Sequence, residues 1–525
     1  MPHSHSGTLC ALYLTEVKGD IMKSVFTTKA AFTFTFYCGL ATVLSVPAAI
    51  AQTVEKPTSG AGPALAFVGA SVYLAASADK PASLQQATVL VEQGVVTKLQ
   101  AAGQPIPAKY QQIDVTGQYL LPGLIDGHVH LAQSGSAFTR PDMIDATAIQ
   151  TYATDQQWLS AQLPEMLRSY TRLGITTVVD LGGPSGRLAR YHSLSQQQQL
   201  PAIISAAELL APISVLQLET KSEKTFLQVD TASQATAAVQ QQIAQGVAVV
   251  KIVWSDETGL SDAALTALYQ QAIDTAKAAG KTVAVHVEKL ASAKQAIRAG
   301  VDILVHGVVN QTIDAEFIAL AKQYGVSYQP TLTAYQHYGE VFRGTLSFTA
   351  FEQHLSPPET VASFQTLNQQ LAKTGEMMQI FRRYMPYVDA PAKKMVELSA
   401  AEQDIVQQLG QVFSQKMAKV QQQNLRLALQ AGLNVAFGTD AGNPGTLHAA
   451  SVPEEMQAWR QAGANNADIL RAMTLGNAKA FKLEQRLGSI SPGKEASFVV
   501  HKDNPLQENF RLNMPVMVLL RGHLQ

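Results

Sequence analysis

Six residues of this chain are of types that could act together on a polar bond: His128, His130, Lys251, His286, His306 and Asp440. The two earliest close the apolar stretch "LLPGLIDGHVHL", residues 120–131, in which Asp126, His128 and His130 would be costly to bury unless something binds them. Lys251 lies in "VAVVKIV", His286 in "TVAVHV", His306 in "DILVHG", and Asp440 closes "NVAFGTD". Alternate side chains of a strand share a face, so His128 and His130 point the same way and can grip one ion. Four imidazoles and a carboxylate, with no thiol, suit a borderline divalent metal such as zinc. Lys251 is the odd member, because an ammonium repels a cation. Flanked by Val249, Val250, Ile252 and Val253, it should lose its proton readily. A neutral amine can combine with carbon dioxide to give a carbamate, whose two oxygens could bridge two metals.

The elements that must position these groups follow a repeated grammar. Five times a helical pattern closes on glycine and an apolar run begins at once: "LGITTVVD", "AGKTVAVHV", "AGVDILVHG", "YGVSYQPTL" and "AGLNVAFGTD". Glycine suits the left-handed helix stop. From 261 to 280, Ser261 is the expected N-cap, with Leu265, Leu268, Tyr269, Ala272, Ile273 and Ala276 on one helical face. Eight strands are expected near 123–130, 175–181, 201–207, 247–253, 281–287, 301–306, 326–332 and 433–439. Strands alternating with helices imply parallel pairing through right-handed crossovers, hence an α/β (β/α)8 TIM-type barrel over 122–486. All six residues then sit at carboxyl ends of strands, the rim on which barrel enzymes build their sites. The β-rich ends, 63–121 and 487–525, are expected to pair into a small β-sandwich domain. Residues from 335 to about 410 are far too long for a barrel connection and read as an inserted lid.

In this order and spacing, "DGHVH", "VVKIV", "AVHV", "LVHG" and "GTDAG" resemble the amidohydrolase superfamily, in particular its prolidase-like and imidazolonepropionase-like branch. The ending "GSISPGKEASFVVHKDNPL" is similar to that family's closing segment. The resemblance implies that His128 and His130 bind a first metal, that Lys251 bridges as a carbamate, and that His286 and His306 bind a second. Asp440 would ligate the first metal and act as the base. Two departures stand out: Val305 precedes His306 where many relatives carry an acid, and Val287 follows His286 where some place a polar substrate contact. Outside this set, Asp126 is expected to be structural, Asp180 to line the site or cap a loop, and His448 to touch substrate.

Composition narrows the rest. With 39 Lys+Arg against 40 Asp+Glu and no basic block, the chain is a poor partner for nucleic acid. From Met22, Lys23 and Lys29 precede an apolar stretch from Ala30 to Val46, followed by the small-residue cleavage pattern Ala49-Ile50-Ala51. This reads as an export signal cut after Ala51, with residues 1–21 an upstream extension, and the apolar core falls short of the roughly 20 residues a membrane span needs. Both cysteines, Cys10 and Cys38, fall in that leader, so the exported protein would have neither disulfides nor a thiol nucleophile. The expected protein is a periplasmic or secreted binuclear hydrolase, with two divalent ions (zinc expected), cleaving a C–N bond of a small substrate such as a dipeptide or N-acyl amino acid. The rivals are a mononuclear deaminase or cyclic-amide hydrolase without the lysine bridge, and a metal-binding barrel without catalysis. Self-association is left open.

Overall fold

The computed structural model describes residues 62–76 and 81–525. The expected leader, residues 1–51 with Cys10 and Cys38, lies outside them. Among the described residues no helix is long and apolar enough to cross a membrane.

The fold is mixed α/β. Among the described residues the first elements are β1 (Leu65–Leu74), β2 (Ser83–Glu92), β3 (Val95–Ala101), β4 (Gln111–Asp114) and β5 (Tyr119–Pro122). Then β6 (Leu124–Val129), β7 (Ile175–Asp180) and β8 (Ala202–Ser205) pair in parallel. A second parallel sheet holds β9 (Leu209–Ala211), β10 (Phe226–Gln228), β11 (Val249–Val253), β12 (Thr282–His286), β13 (Ile303–Val305) and β14 (Ser327–Gln329), in the order β10-β9-β11-β12-β13-β14. The two sheets meet where Ala248 N donates to Ser205 O at 3.0 Å. Seven expected strands are therefore present, with β9 and β10 as additions that the sequence pattern did not signal.

The eighth expected strand takes a different form. Isolated parallel bridges link Val435 to Tyr328 and Ala441 to Val129, while Gly127 N donates to Phe437 O and Asp440 N to His128 O. Left-handed backbone at Asp440 (φ 62°) and Gly442 (φ 108°) breaks the extended run before a regular ladder can form. Close approach is bought by small residues: a Cβ at Gly127 would come within 2.7 Å of Phe437 O, and one at Gly438 within 2.5 Å of His128 Cβ.

The helix Asp262–Ala278 follows its sequence pattern. Ser261 caps it, accepting from Ala264 N, and the buried face carries Leu265, Leu268, Tyr269, Ala272, Ile273 and Ala276. After β14 the chain enters an all-helical stretch that includes Ala334–Arg343, Pro358–Gln369, Glu376–Tyr384 and Ala400–Phe413. It has its own apolar core, in which Phe342, Phe364, Phe381 and Phe413 join Phe138, Met143 and Ile144 from the segment after β6. The chain closes with β15 (Phe498–His501), β16 (Met517–Leu520) and β17 (His523–Leu524). These complete one eight-stranded sheet, β17-β16-β15-β5-β1-β2-β3 with β4 beside β1, so both chain ends share a sheet as expected.

Candidate metal centre

The sequence-selected residues converge. His128 is the fifth residue of β6 and His130 lies just beyond its end; Lys251 is central in β11; His286 ends β12; His306 follows β13. Asp440 comes from the irregular run that lies between β14 and β6. Asp440 Oδ1 is 3.2 Å from Nε2 of both His128 and His130, and its Oδ2 is 3.8 Å from His306 Nδ1. Ligand atoms of His128, His306 and Asp440 all fall within 4.8 Å of one another, a triad that cuts across the expected division into two separate ion sites. His286 stands against His306, ring centroids 4.6 Å apart. Both His306 (φ 69°) and Asp440 (φ 62°) hold left-handed backbone, a strain that non-glycine residues accept where the surroundings over-determine them.

Neighbouring groups aim these side chains. His130 Nδ1 lies 3.2 Å from Gly182 O, and His306 Nδ1 is 3.0 Å from Thr331 Oγ1. Asp126 accepts from His128 N, Thr439 N and Thr439 Oγ1, and so ties β6 to the run that carries Asp440. Burial pushes its carboxyl up to about 7 against those hydrogen bonds. Asp180 is buried at the end of β7, accepting from Leu131 N, and burial raises it to about 6. His448 has both ring nitrogens engaged, by Tyr170 OH at 3.1 Å and Gln133 O at 2.8 Å, and it lies outside the pocket wall. These two contacts brace the ring between Tyr170 and the backbone of Gln133.

Electrostatics favour the neutral form of His128, Lys251, His286 and His306. Burial first, and then the neighbouring Lys251 and histidines, hold His128 and His306 well below the usual imidazole range. Burial, with Lys251 and Arg140, lowers His286 to about 3. Burial also lowers Lys251 to about 7, opposed only by the charge of Asp440. Crowding these basic groups in one buried volume is tolerable because His128, Lys251, His286 and His306 can shed their protons.

The donor set fits a divalent metal. Both ring nitrogens of His128 and Oδ1 of Asp440 are buried without a hydrogen-bond partner, although buried polar atoms of this kind are nearly always paired. Neutral imidazoles facing one carboxylate oxygen are what a borderline cation would satisfy.

A model of the amidohydrolase family matches residues 119–524, which takes in every one of these groups. The chain belongs to the amidohydrolase family. Among curated proteins it is 26% identical over 247 residues to an uncharacterized protein of Mycobacterium tuberculosis, covering 46% of this chain and 57% of that one. The chain thus spans little more than half the length of the curated relatives it matches. Among solved structures, a Xaa-Pro dipeptidase with bound methionine superposes with a TM-score of 0.61 at 19% identity, covering 88% of this chain and 99% of that one. An Aspergillus niger ochratoxinase gives 0.59 at 17% identity, over 88% and 96%. Identities this low show the shared fold alone.

In this amidohydrolase the metal-side residues form the floor of a pocket. Its wall is mostly apolar, with Met143, Leu209, Phe226, Val253, Val412 and Phe413. Polar groups that the sequence reading missed interrupt that wall: Arg140, Glu288, Tyr335, Tyr338 and Asn443. A signal for Glu288 existed, because it lies two residues after His286 and the alternation that paired His128 with His130 also applies there. Val287, by contrast, is fully buried in the core. The tyrosines come from the helix Ala334–Arg343, whose amphipathic pattern gave no hint of which residues would meet the barrel rim.

Proposed function

We propose that the protein is an exported, binuclear amidohydrolase that cleaves the amide bond of a dipeptide or an N-acyl amino acid. One observation carries this reading: Asp440 stands within 4 Å of three histidines in a buried cluster that also faces an open, mostly apolar pocket. On this reading the parallel strands close into a single (β/α)8 barrel over 122–486, the β-sandwich domain comprises 63–121 and 487–525, and the leader is removed after Ala51.

His128, His130 and Asp440 would hold one ion and His286 and His306 a second, zinc being the ion expected from the donor types. When bound, such ions bring the pKa of water from 15.7 to near 7 and polarise the scissile carbonyl. Lys251 joins them after its neutral Nζ adds to carbon dioxide and releases a proton, leaving an anionic carbamate with two oxygens. Asp440 takes the proton of the attacking water on its carboxylate and delivers it to the departing amine nitrogen. Asp126 keeps the two strands in register, and the apolar wall excludes bulk water.

The test is a screen of metal-loaded protein against dipeptides, acyl amino acids and lactones, with metal counted by elemental analysis. Two equivalents per chain and amide cleavage are expected. The compact triad of His128, His306 and Asp440 favours one rival, a mononuclear deaminase or cyclic-amide hydrolase, and a single equivalent per chain would select it. A fully loaded protein inert across the panel would favour a binding protein.

A further inference from the structure

The pocket carries a carboxyl group at one corner and a guanidinium at another, and one helix reaches both. At the first corner Glu288 is buried beside the centre, its Oε1 3.9 Å from His286 Nε2, and Tyr335 OH donates to that same Oε1. At the second, Arg140 is clamped by Asp142, Nε to Oδ1 at 2.8 Å and Nη2 to Oδ2 at 2.5 Å, while its Nη1 donates to Asn443 Oδ1 at 3.0 Å. Tyr338 OH donates to the same Asn443 oxygen at 2.8 Å. A guanidinium has five N–H donors, so these contacts leave two, one on each terminal nitrogen. Arg140 is held rigidly with its fork only partly used, which is how arginine receives a planar carboxylate.

Tyr335 and Tyr338 are one turn apart on the helix Ala334–Arg343, roughly 5–6 Å between Cβ atoms. One helical turn therefore serves both corners, a spacing on the scale of a very short peptide, since two extended residues span roughly 7 Å. The same pocket is lined by Met143, Phe226, Val253 and Phe413, which present no charge, and by one further carboxylate, Glu257.

Resting on the amidohydrolase reading of this pocket, we infer that it selects a zwitterion: a free ammonium at Glu288 and Tyr335, a free carboxylate at Arg140, and apolar side chains between. Unblocked dipeptides fit this pattern. N-acyl amino acids do not, because acylation removes the positive charge and sets a neutral amide, with one N–H in place of three, against Glu288. Glu288 is then the residue that decides between the two substrate classes.

The experiment compares alanyl-phenylalanine, its N-acetyl derivative and its C-terminal amide on zinc-loaded protein. Each blocking group should lower kcat/KM roughly 10- to 100-fold, the loss expected from one charge-assisted hydrogen-bonded contact. In Glu288→Gln the N-acetyl penalty should nearly vanish while the amide penalty persists. Arg140→Lys, which keeps the charge but loses the fork, should reduce the amide penalty alone. Equal or better cleavage of the N-acetyl derivative, or an unchanged penalty in Glu288→Gln, overturns the inference. Should Arg140→Lys fail to fold, the wild-type comparison of acid and amide still decides the basic corner. Calorimetric titration of the same three compounds separates the two claims. Preferential binding of the zwitterion without cleavage overturns the hydrolytic reading and keeps the pocket inference, whereas equal binding of all three overturns the inference whatever is cleaved.

Discussion

Gly438 lies directly against His128: a Cβ at position 438 would come within 2.5 Å of the histidine Cβ and 3.1 Å of its backbone nitrogen. The absence of a side chain at one position is thus what lets His128 Nε2 come within 3.2 Å of Asp440 Oδ1. Gly438→Ala should push the Asp440 run away from β6, costing about 1–3 kcal/mol as overpacking does. Thermal melting of metal-free protein should register that loss, and elemental analysis should show weakened metal retention. A variant with unchanged melting and full metal content would mean that the run can shift without disturbing the ligands.

Asp440 and Lys251 separate proton handling from metal assembly. Asp440→Asn keeps an oxygen beside His128 and His130 but removes the basic carboxylate. Metal should largely remain while turnover falls by ~10²-fold or more, the scale of acid–base assistance. Lys251→Ala should lose metal and activity together, with partial rescue by short carboxylic acids in the buffer that replace the carbamate oxygens. Near-normal turnover of Asp440→Asn with both ions present would end the assignment of the base.

The helical stretch beyond β14 should govern substrate preference without holding metal. Phe342 is fully buried there, 4.3 Å from the ring of Phe381 and 5.4 Å from that of Phe413. Phe342→Ala should destabilise this core by about 3–5 kcal/mol. Since Phe413, Tyr335 and Tyr338 line the pocket, preference across a dipeptide panel should change while the number of bound metal ions does not. Loss of metal would place a ligand in this stretch.

A pH effect on stability is expected where this stretch meets the barrel. His337 Nε2 lies 2.8 Å from Glu454 Oε2. Burial works against both charges, but the pairing wins, holding His337 above its ordinary value of 6.5 and Glu454 below 4.5. The raised histidine contributes fully below 6.5 and loses its contribution as pH climbs through its folded value. The lowered glutamate contributes fully above 4.5 and loses its contribution as pH falls. The pair should therefore stabilise most between pH 4.5 and 6.5. Because the Glu454 side chain is 36% exposed, screening limits the gain to about 1 kcal/mol. The melting difference between wild type and His337→Gln should peak in that window; a flat difference would remove the pair as its cause.

Much of this was legible in the sequence, for identifiable reasons. Helix Asp262–Ala278 announced its cap and its whole buried face, because a single apolar stripe at helical spacing has one way to pack. His128, His130, Lys251, His286 and His306 could be placed because each ends or interrupts an otherwise apolar run, and buried polar groups need a reason. The eighth strand was less regular than its pattern, since alternation says nothing of the left-handed turn at Asp440. Arg140, Asn443 and Tyr338 could not be foreseen as neighbours: they come from three distant segments, and only tertiary folding brings the Arg140 and Tyr338 donors onto one amide oxygen.

The shared sheet has a consequence for how the chain is made. One edge of β5 pairs with β1, but the other finds its partner only in β15, so nearly the entire barrel must leave the ribosome before that edge is covered. At ordinary synthesis rates this wait is on the order of tens of seconds. During it Leu120 and Leu121, fully buried in the finished protein, belong to a strand with one edge uncovered. The nascent chain is thus held short of its final state by its own topology, and a truncation before Phe498 should yield aggregation in place of a smaller soluble enzyme.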